Sequence, residues 1–191
     1  MTDITMRTGL FKAVGKAMSL HASNDKARPA LTCIHFDRNE IAATNSYTLA
    51  VWTPNESWEL DEPFDIECKP FSEALKTIKT DDKSDMTLSL RDRVWKLGSG
   101  SVSVAGILRY VDYPNWRPLI TTASETTFGP TGFNSALFKL VGDASLAVSK
   151  KSPLEIVSWL SPLKPMLFRT ETPDGVLTQL IMPMRLPSKS E

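Results

Sequence analysis

The 191-residue chain carries 22 basic and 22 acidic residues, so its formal net charge is zero and a generically basic nucleic-acid binder is excluded, although the two signs can still be sorted onto different faces. Hydrophobic residues at 41% and charged residues at 23% suit one large globular domain, or a domain and a fragment, and not a disordered chain. No run approaches the roughly 18 apolar residues of a spanning helix, and the opening MTDITMRTGLFKAVGKAM has no secretory-leader pattern, so a cytoplasmic protein without membrane contact is expected.

A leading strand over residues 3–8 is followed by a helix over 10–21. Leu10, Val14 and Met18 recur at spacings of four, Phe11 and Ala17 widen that stripe, and Lys12 and Lys16 share the solvated face. Strands follow over 31–36, 40–43 and 49–53, with Asp37-Arg38-Asn39 as the first turn. The pattern then restarts: a strand over 64–68, a helix over 70–78 with Phe71, Leu75 and Ile78 inward and Lys76 and Lys79 outward, then strands over 86–90, 94–97 and 101–107. A third copy has a weak strand over 126–128 and a helix from Asn134 to about Leu140, extending toward Leu146. It buries Leu137, Phe138 and Val141, exposes Lys139, and is capped by Asn134 or Ser135. Its strands are 154–159, 165–170 and 177–182, the last two joined by the turn Thr172-Pro173-Asp174-Gly175.

One unit, strand-helix-three strands, thus occurs three times with a period of about sixty residues. The predicted class is α+β, with helices on one face of antiparallel sheets. The linker Pro114-Asn115-Trp116-Arg117-Pro118 and the Thr/Ser-rich stretch 121–127 divide the chain into 1–120, holding two units, and 121–191, holding one.

Catalytic constellations are missing. His35 sits in an apolar strand, no GxSxG elbow supplies a nucleophile, and Asp61-Glu62 and Asp81-Asp82 read as solvated loop charge. Gly98-Ser99-Gly100-Ser101 lacks the lysine and the following helix of a phosphate-binding loop. Cys33 and Cys68 stand apart, without a CxxC or Cys/His cluster, as reduced buried thiols. No catalytic residue, metal ligand or cofactor is expected, so the chain reads as a non-enzyme. What remains is the sorting of charge: Lys12, Lys16, Lys76, Lys79 and Lys139 all fall on helices, whereas most acids fall on strands and turns. Such lysines suit nucleic-acid backbone phosphates, weakly, salt-sensitively and without base reading.

Ala43-Thr44-Asn45-Ser46-Tyr47-Thr48-Leu49-Ala50, preceded by Arg28-Pro29-Ala30-Leu31, resembles the Arg-Pro…Ala-Thr-Asp-Gly-His-Arg-Leu-Ala stretch of the middle domain of the bacterial sliding clamp, the β subunit of DNA polymerase III. The C-terminal Leu180-Ile181-Met182-Pro183-Met184-Arg185-Leu186 resembles that family's C-terminal signature, and Asp112-Tyr113-Pro114-Asn115-Trp116-Arg117 resembles its Phe-Pro-Asp-Tyr-Arg stretch, all in the family's order. The resemblance implies a clamp fold whose helices line a central hole around duplex DNA, a processivity factor that tethers a DNA polymerase, and a clamp loader among the further partners it allows. It also implies a hydrophobic pocket for partner peptides, with Thr44, Ser46, Tyr47, Thr48 and Leu49 as one wall and Leu180, Met182, Pro183, Met184 and Arg185 as the other. Asn45-Ser46-Tyr47-Thr48 departs from Asp-Gly-His-Arg, the tail 187–191 extends past the family's end, and the chain resembles only the middle domain plus the last half of the third. A ring of about twelve helices then needs four chains, a homotetramer, with a trimer as the count for a smaller ring; so compact a clamp suits a bacteriophage replisome. The alternative reading is a clamp-derived decoy or inhibitor that binds clamp-interacting peptides without encircling DNA.

Overall fold

The computed structural model describes residues 2–58, 60, 62–79, 81, 83–123, 133–158 and 164–184. The first unit comprises β1 (Thr2–Arg7), α1 (Thr8–His21), β2 (Cys33–Asp37), β3 (Glu40–Thr44) and β4 (Thr48–Pro54). The second comprises β5 (Phe64–Glu67), α2 (Cys68–Thr77), β6 (Asp85–Arg91), β7 (Val94–Ser99) and β8 (Val102–Ile107). After α3 (Arg117–Ala123) come α4 (Ser135–Val148), β9 (Glu155–Ser158), β10 (Met166–Thr172) and β11 (Gly175–Ile181). The strand expected over 126–128, Asp61, Asp82, Arg185 and the tail 187–191 lie outside the described residues.

Each helix is fixed at its start by a different device. The Thr8 N–H, one of the donors that the first turn of α1 leaves free, reaches the Ser84 carbonyl at 2.7 Å, so the second unit completes the first unit's helix. Asn134 caps α4, its side-chain oxygen accepting the Ala136 N–H at 2.9 Å. In α2, Pro70 sits in the first turn but the helix begins two residues earlier, at Cys68, and ends at Thr77, which leaves Lys79 just beyond it. The inward stripes are the expected ones: Phe11, Val14, Ala17 and Met18 in α1, and Phe71 and Leu75 in α2.

The strands form two antiparallel sheets, β1-β6-β7-β8 and β5-β2-β3-β4-β11-β10-β9. The leading strands are exchanged. β1 of the first unit pairs with β6 of the second, and β5 of the second pairs with β2 of the first, so neither unit is complete without the other. The third unit joins the first by the seam β4–β11, whose register runs from Thr48↔Ile181 to Pro54↔Gly175. At the end of that seam only glycine fits: a Cβ on Gly175 would lie 2.6 Å from the Thr53 carbonyl oxygen.

α1 packs between α2 and α4 in one layer. Its Gly15 lets α2 approach so closely that a Cβ there would come within 2.2 Å of Leu75 Cδ1, and Phe11 meets Phe71 with ring centroids 6.1 Å apart. Between this layer and the sheets lies the main core, including Ile34, Phe36, Trp52, Phe71 and Trp95. Strand alternation gives β4 a second buried face: Ala50 and Trp52 point into the main core, whereas Leu49 and Val51 join Ala42, Trp116, Leu167 and Leu180 in a separate cluster.

That second cluster corrects the expectation that all helices share one face of the sheets. Part of the stretch read as linker is α3, packed beside β10 with Trp116 and Ile120 in the second cluster. Three features make this helix form: Pro118 lies in its first turn; Trp116 and Ile120, four apart, share an apolar face; and Arg117 is tied to Asp37 at 2.8 Å and Glu40 at 2.7 Å on the β2–β3 hairpin. The division proposed at 120/121 falls inside α3.

Candidate functional site

The loop between β3 and β4 is built by one side chain. Asn45 Oδ1 accepts the N–H groups of Tyr47 and Thr48, both at 2.9 Å, and the Thr48 hydroxyl at 3.2 Å, an Asx turn that closes the hairpin. Ser46 then sits at φ 77°, in the left-handed region that favours glycine, which is what the resembled stretch has at this place. Its hydroxyl is held by Arg28 Nη1 at 2.9 Å.

The seam brings the two expected walls of the pocket together. Leu49 pairs with Leu180, and the Met182 N–H donates to the Tyr47 carbonyl at 2.9 Å. The walls are not equally open, however. Tyr47 and Met184 are 62% and 52% exposed, Ser46 is exposed and Thr44, Met182 and Pro183 are half-buried, whereas Thr48, Leu49 and Leu180 are buried. Leu49 and Leu180 pack in the cluster that contains Trp116, with Ile120 and Tyr113 at its edge. Arg185 lies outside the described residues. The covering residues Trp116 and Ile120 are absent from the expected pocket; their spacing of four beside Pro118 was the signal for them.

Of the lysines expected to face DNA, Lys12, Lys16, Lys76 and Lys139 lie on helices and Lys79 lies just past the end of α2. Lys16, Lys76, Lys79 and Lys139 are exposed and Lys12 is half-buried; Lys139 pairs with Asp143 one turn on. The earlier start of α2 adds Lys69, also exposed, which the expected start at Pro70 left outside the helix. Together α1, α2 and α4 carry five lysines (12, 16, 69, 76, 139) and two carboxylates (Glu73, Asp143), a balance of +3 in a chain whose total is zero.

A groove of about 540 Å³ lies elsewhere, lined by residues that include His35, Asp65, Arg109 and Tyr113. His35 Nδ1 is 2.9 Å from Asp65 Oδ1, and its ring stacks on Tyr113 at 4.3 Å. The nearby thiol of Cys33 is pushed up to about 11, by burial first and then by the charge of Asp65, so it is a poor nucleophile. Among the described residues no group of three His, Cys, Asp or Glu side chains could hold a metal ion, and no helix is long and apolar enough to cross a membrane.

No protein-family model and no curated protein matches the sequence. Solved structures do match its fold. The DNA polymerase III subunit beta from Borrelia burgdorferi, in complex with a natural product, aligns with 97% of this chain and 65% of its own length, at TM-score 0.64 and 14% identity. The DNA polymerase III subunit beta of Bartonella birtlesii, a sliding clamp bound to griselimycin, aligns with 97% of this chain and 66% of its own at TM-score 0.72 and 14% identity. The A. fulgidus PCNA structure with the C-terminal region of FEN-1 bound aligns over 100% of both chains, at TM-score 0.64 and 15% identity. The chain therefore has the sliding-clamp fold, and it spans 65% of the length of the Borrelia subunit.

Proposed function

We propose that this chain is a sliding clamp: a non-enzymatic processivity factor that closes as a homo-oligomeric ring around duplex DNA and tethers a replicative polymerase. The observation that carries the reading is the helical layer, where a neutral chain concentrates five lysines against two carboxylates on α1, α2 and α4. Lys12, Lys16, Lys76, Lys79 and Lys139 would meet phosphates from the ring's inner wall. Exposed lysines at that surface act through screened, exchangeable contacts, so each is weak and none reads a base. A ring needs no more than this, because topology keeps it on the duplex while loose contacts let it slide.

Three units per chain and a ring of about twelve helices give a homotetramer, with a two-unit body ahead of α3 and a single unit after it. Partner peptides would dock at the rim formed by Thr44, Ser46, Tyr47, Met182, Pro183, Met184 and Arg185, above Thr48, Leu49 and Leu180. Methionines and an exposed aromatic suit short apolar peptides of varied sequence. A DNA polymerase and other proteins bearing such peptides are the partners, a clamp loader is a further one, and the setting is the cytoplasm of a bacterium or of a phage's bacterial host.

Changing Lys12, Lys16, Lys76, Lys79 and Lys139 to glutamate tests the reading. Polymerase stimulation on primed circular DNA is expected to disappear while peptide binding, measured by fluorescence anisotropy, stays within twofold; unchanged stimulation would overturn the DNA-facing assignment. The second reading, a decoy or inhibitor that captures clamp-binding peptides or caps another clamp's subunit, draws on the edge strands β8 and β9, each paired on one side only among the described residues. It expects a monomer that binds peptide and ignores DNA.

A further inference from the structure

The third unit repeats the first where it matters for helix packing. Residues 10–15 of α1 read Leu-Phe-Lys-Ala-Val-Gly and residues 137–142 of α4 read Leu-Phe-Lys-Leu-Val-Gly, at the same distance from the start of two helices of 14 residues each. In α1 the phenylalanine and the glycine of this motif are the contact with α2: Phe11 meets Phe71, and Gly15 admits Leu75. In α4 the same two positions face no helix. Phe138, expected to be buried, meets Phe133 and Phe168 edge-on yet is 38% exposed, a Cβ on Gly142 would find no described residue within 4 Å, and Leu146, one turn further along the same stripe, is 59% exposed.

The first strand of the third unit is exposed in the same way among the described residues. β2, β6 and β9 are equivalent, each the first strand after its unit's helix. β2 carries β5 on its outer edge and β6 carries β1, and Ile34, Phe36, Met86 and Leu88 on them are fully buried. β9 pairs with β10 alone among the described residues, and its Ile156 and Val157 are 45% and 39% exposed. An exposed apolar edge strand and an exposed apolar helix stripe in one unit mark an interface awaiting its other half.

The first two units show what covers such a surface: another strand-helix-three-strand unit, in a reciprocal contact where each lends the other a strand. Reciprocity is the mark of a two-fold relation, and among the described residues the unit without such a counterpart is the third, whose surface can satisfy its own copy by the same relation. We infer that the third unit docks on the third unit of a second chain, α4 against α4 through Phe138, Gly142 and Leu146 and with β9 at the shared edge, so that two half-domains complete one clamp domain. This rests on the ring reading for its setting and deepens it. α1 and α2 lie in one layer, so the relation between their units keeps helices on the same side of the sheets and exchanges the ends. Applied between chains, it turns the partner over: the helices still face the hole, but the peptide rims of neighbouring chains open on opposite faces of the ring.

Gly142→Glu is the decisive variant. It places bulk and charge where the partner helix must pass, yet a Cβ there meets no described residue within 4 Å and the change replaces a helix-interior glycine, so the melting temperature of the dissociated chain is expected to hold or rise. Ile156→Lys repeats the test on β9. Masses are read by sedimentation velocity on the 191-residue chain, wild type and variants. A wild-type tetramer that becomes a dimer in both variants supports the inference and the ring together, since the second contact survives. A wild-type dimer that becomes a monomer supports the inference and removes the tetrameric ring. Variants that remain tetramers overturn the inference and leave the ring; variants that fall directly to monomers overturn the two-fold contact in favour of head-to-tail closure. A monomeric wild type overturns both.

Discussion

His21 is fully buried at the end of α1, and its Nε2–H donates to Gln179 Oε1 at 2.9 Å. Gln179 in turn donates to Ser145 Oγ at 2.8 Å, and Ser145 also accepts the Thr170 hydroxyl at 3.0 Å, so one polar chain ties α1 of the first unit to α4, β10 and β11 of the third. Burial, opposed only partly by the Gln179 bond, lowers the His21 pKa from 6.5 to about 4, and Nδ1, which would take the second proton, has no hydrogen-bond partner among the described residues. The unfolded chain takes up that proton below pH 6.5 and the folded chain does not until about pH 4. Stability is therefore full above pH 6.5 and falls across this window by about 1.4 kcal/mol per pH unit, roughly 3 kcal/mol in all. Urea unfolding at pH 7 and pH 4.5 is expected to show the loss, and His21→Gln to remove most of the difference; equal pH dependence in both proteins would contradict it. Asn45 carries a comparable burden in the β3–β4 loop, where one oxygen accepts three donors. Asn45→Ala is expected to cost about 1–3 kcal/mol and to weaken peptide binding at the rim, read by thermal melting and anisotropy.

At the scale of elements, α3 is the finding with most consequence for the site. Trp116, 4% exposed, lies in the cluster holding Leu49 and Leu180, two residues expected to line an open pocket. If peptides reach these leucines, α3 must yield. Trp116→Ala is then expected to cost about 3–5 kcal/mol of stability yet to tighten binding of an apolar clamp-type peptide, because the competing side chain is gone; weaker binding with an intact fold would place the peptide at the outer rim alone. α1, α2, α4 and most strands were legible in the sequence because each of these helices shows its stripe at spacings of three and four, as Phe11, Val14 and Met18 do, and each hairpin has a polar turn. α3 was hidden because prolines at 114 and 118 and the threonines after them imitate a linker. Ordinary periodicity also could not show that β1 joins β6 and β5 joins β2: the exchange is a tertiary choice that brings the Thr8 N–H to Ser84. At the site, the resembled motifs brought the two walls to one seam, but nothing in residues 44–49 or 180–185 announces that Leu49 and Leu180 are covered.

Across the whole molecule, charge and edges point the same way. The helical layer is positive in a neutral chain, so binding to duplex DNA is expected to weaken steeply with salt, log K falling with log salt by about 0.9 for each phosphate contacted. Each lysine-to-glutamate change that removes a contact lowers that slope by about one, which salt titration by anisotropy reads directly. Among the described residues β8 and β9 are each paired on one side only, and ring closure would bury both edges at once. The proposal that the closed oligomer encircles DNA is tested most directly by topology. The oligomer is reassembled in the presence of a nicked circular duplex, isolated with it by gel filtration at moderate salt, and followed after a single restriction cut. Retention on the circle and release on linearisation is the expected result; equal retention on circle and linear DNA, or none on either, would contradict it.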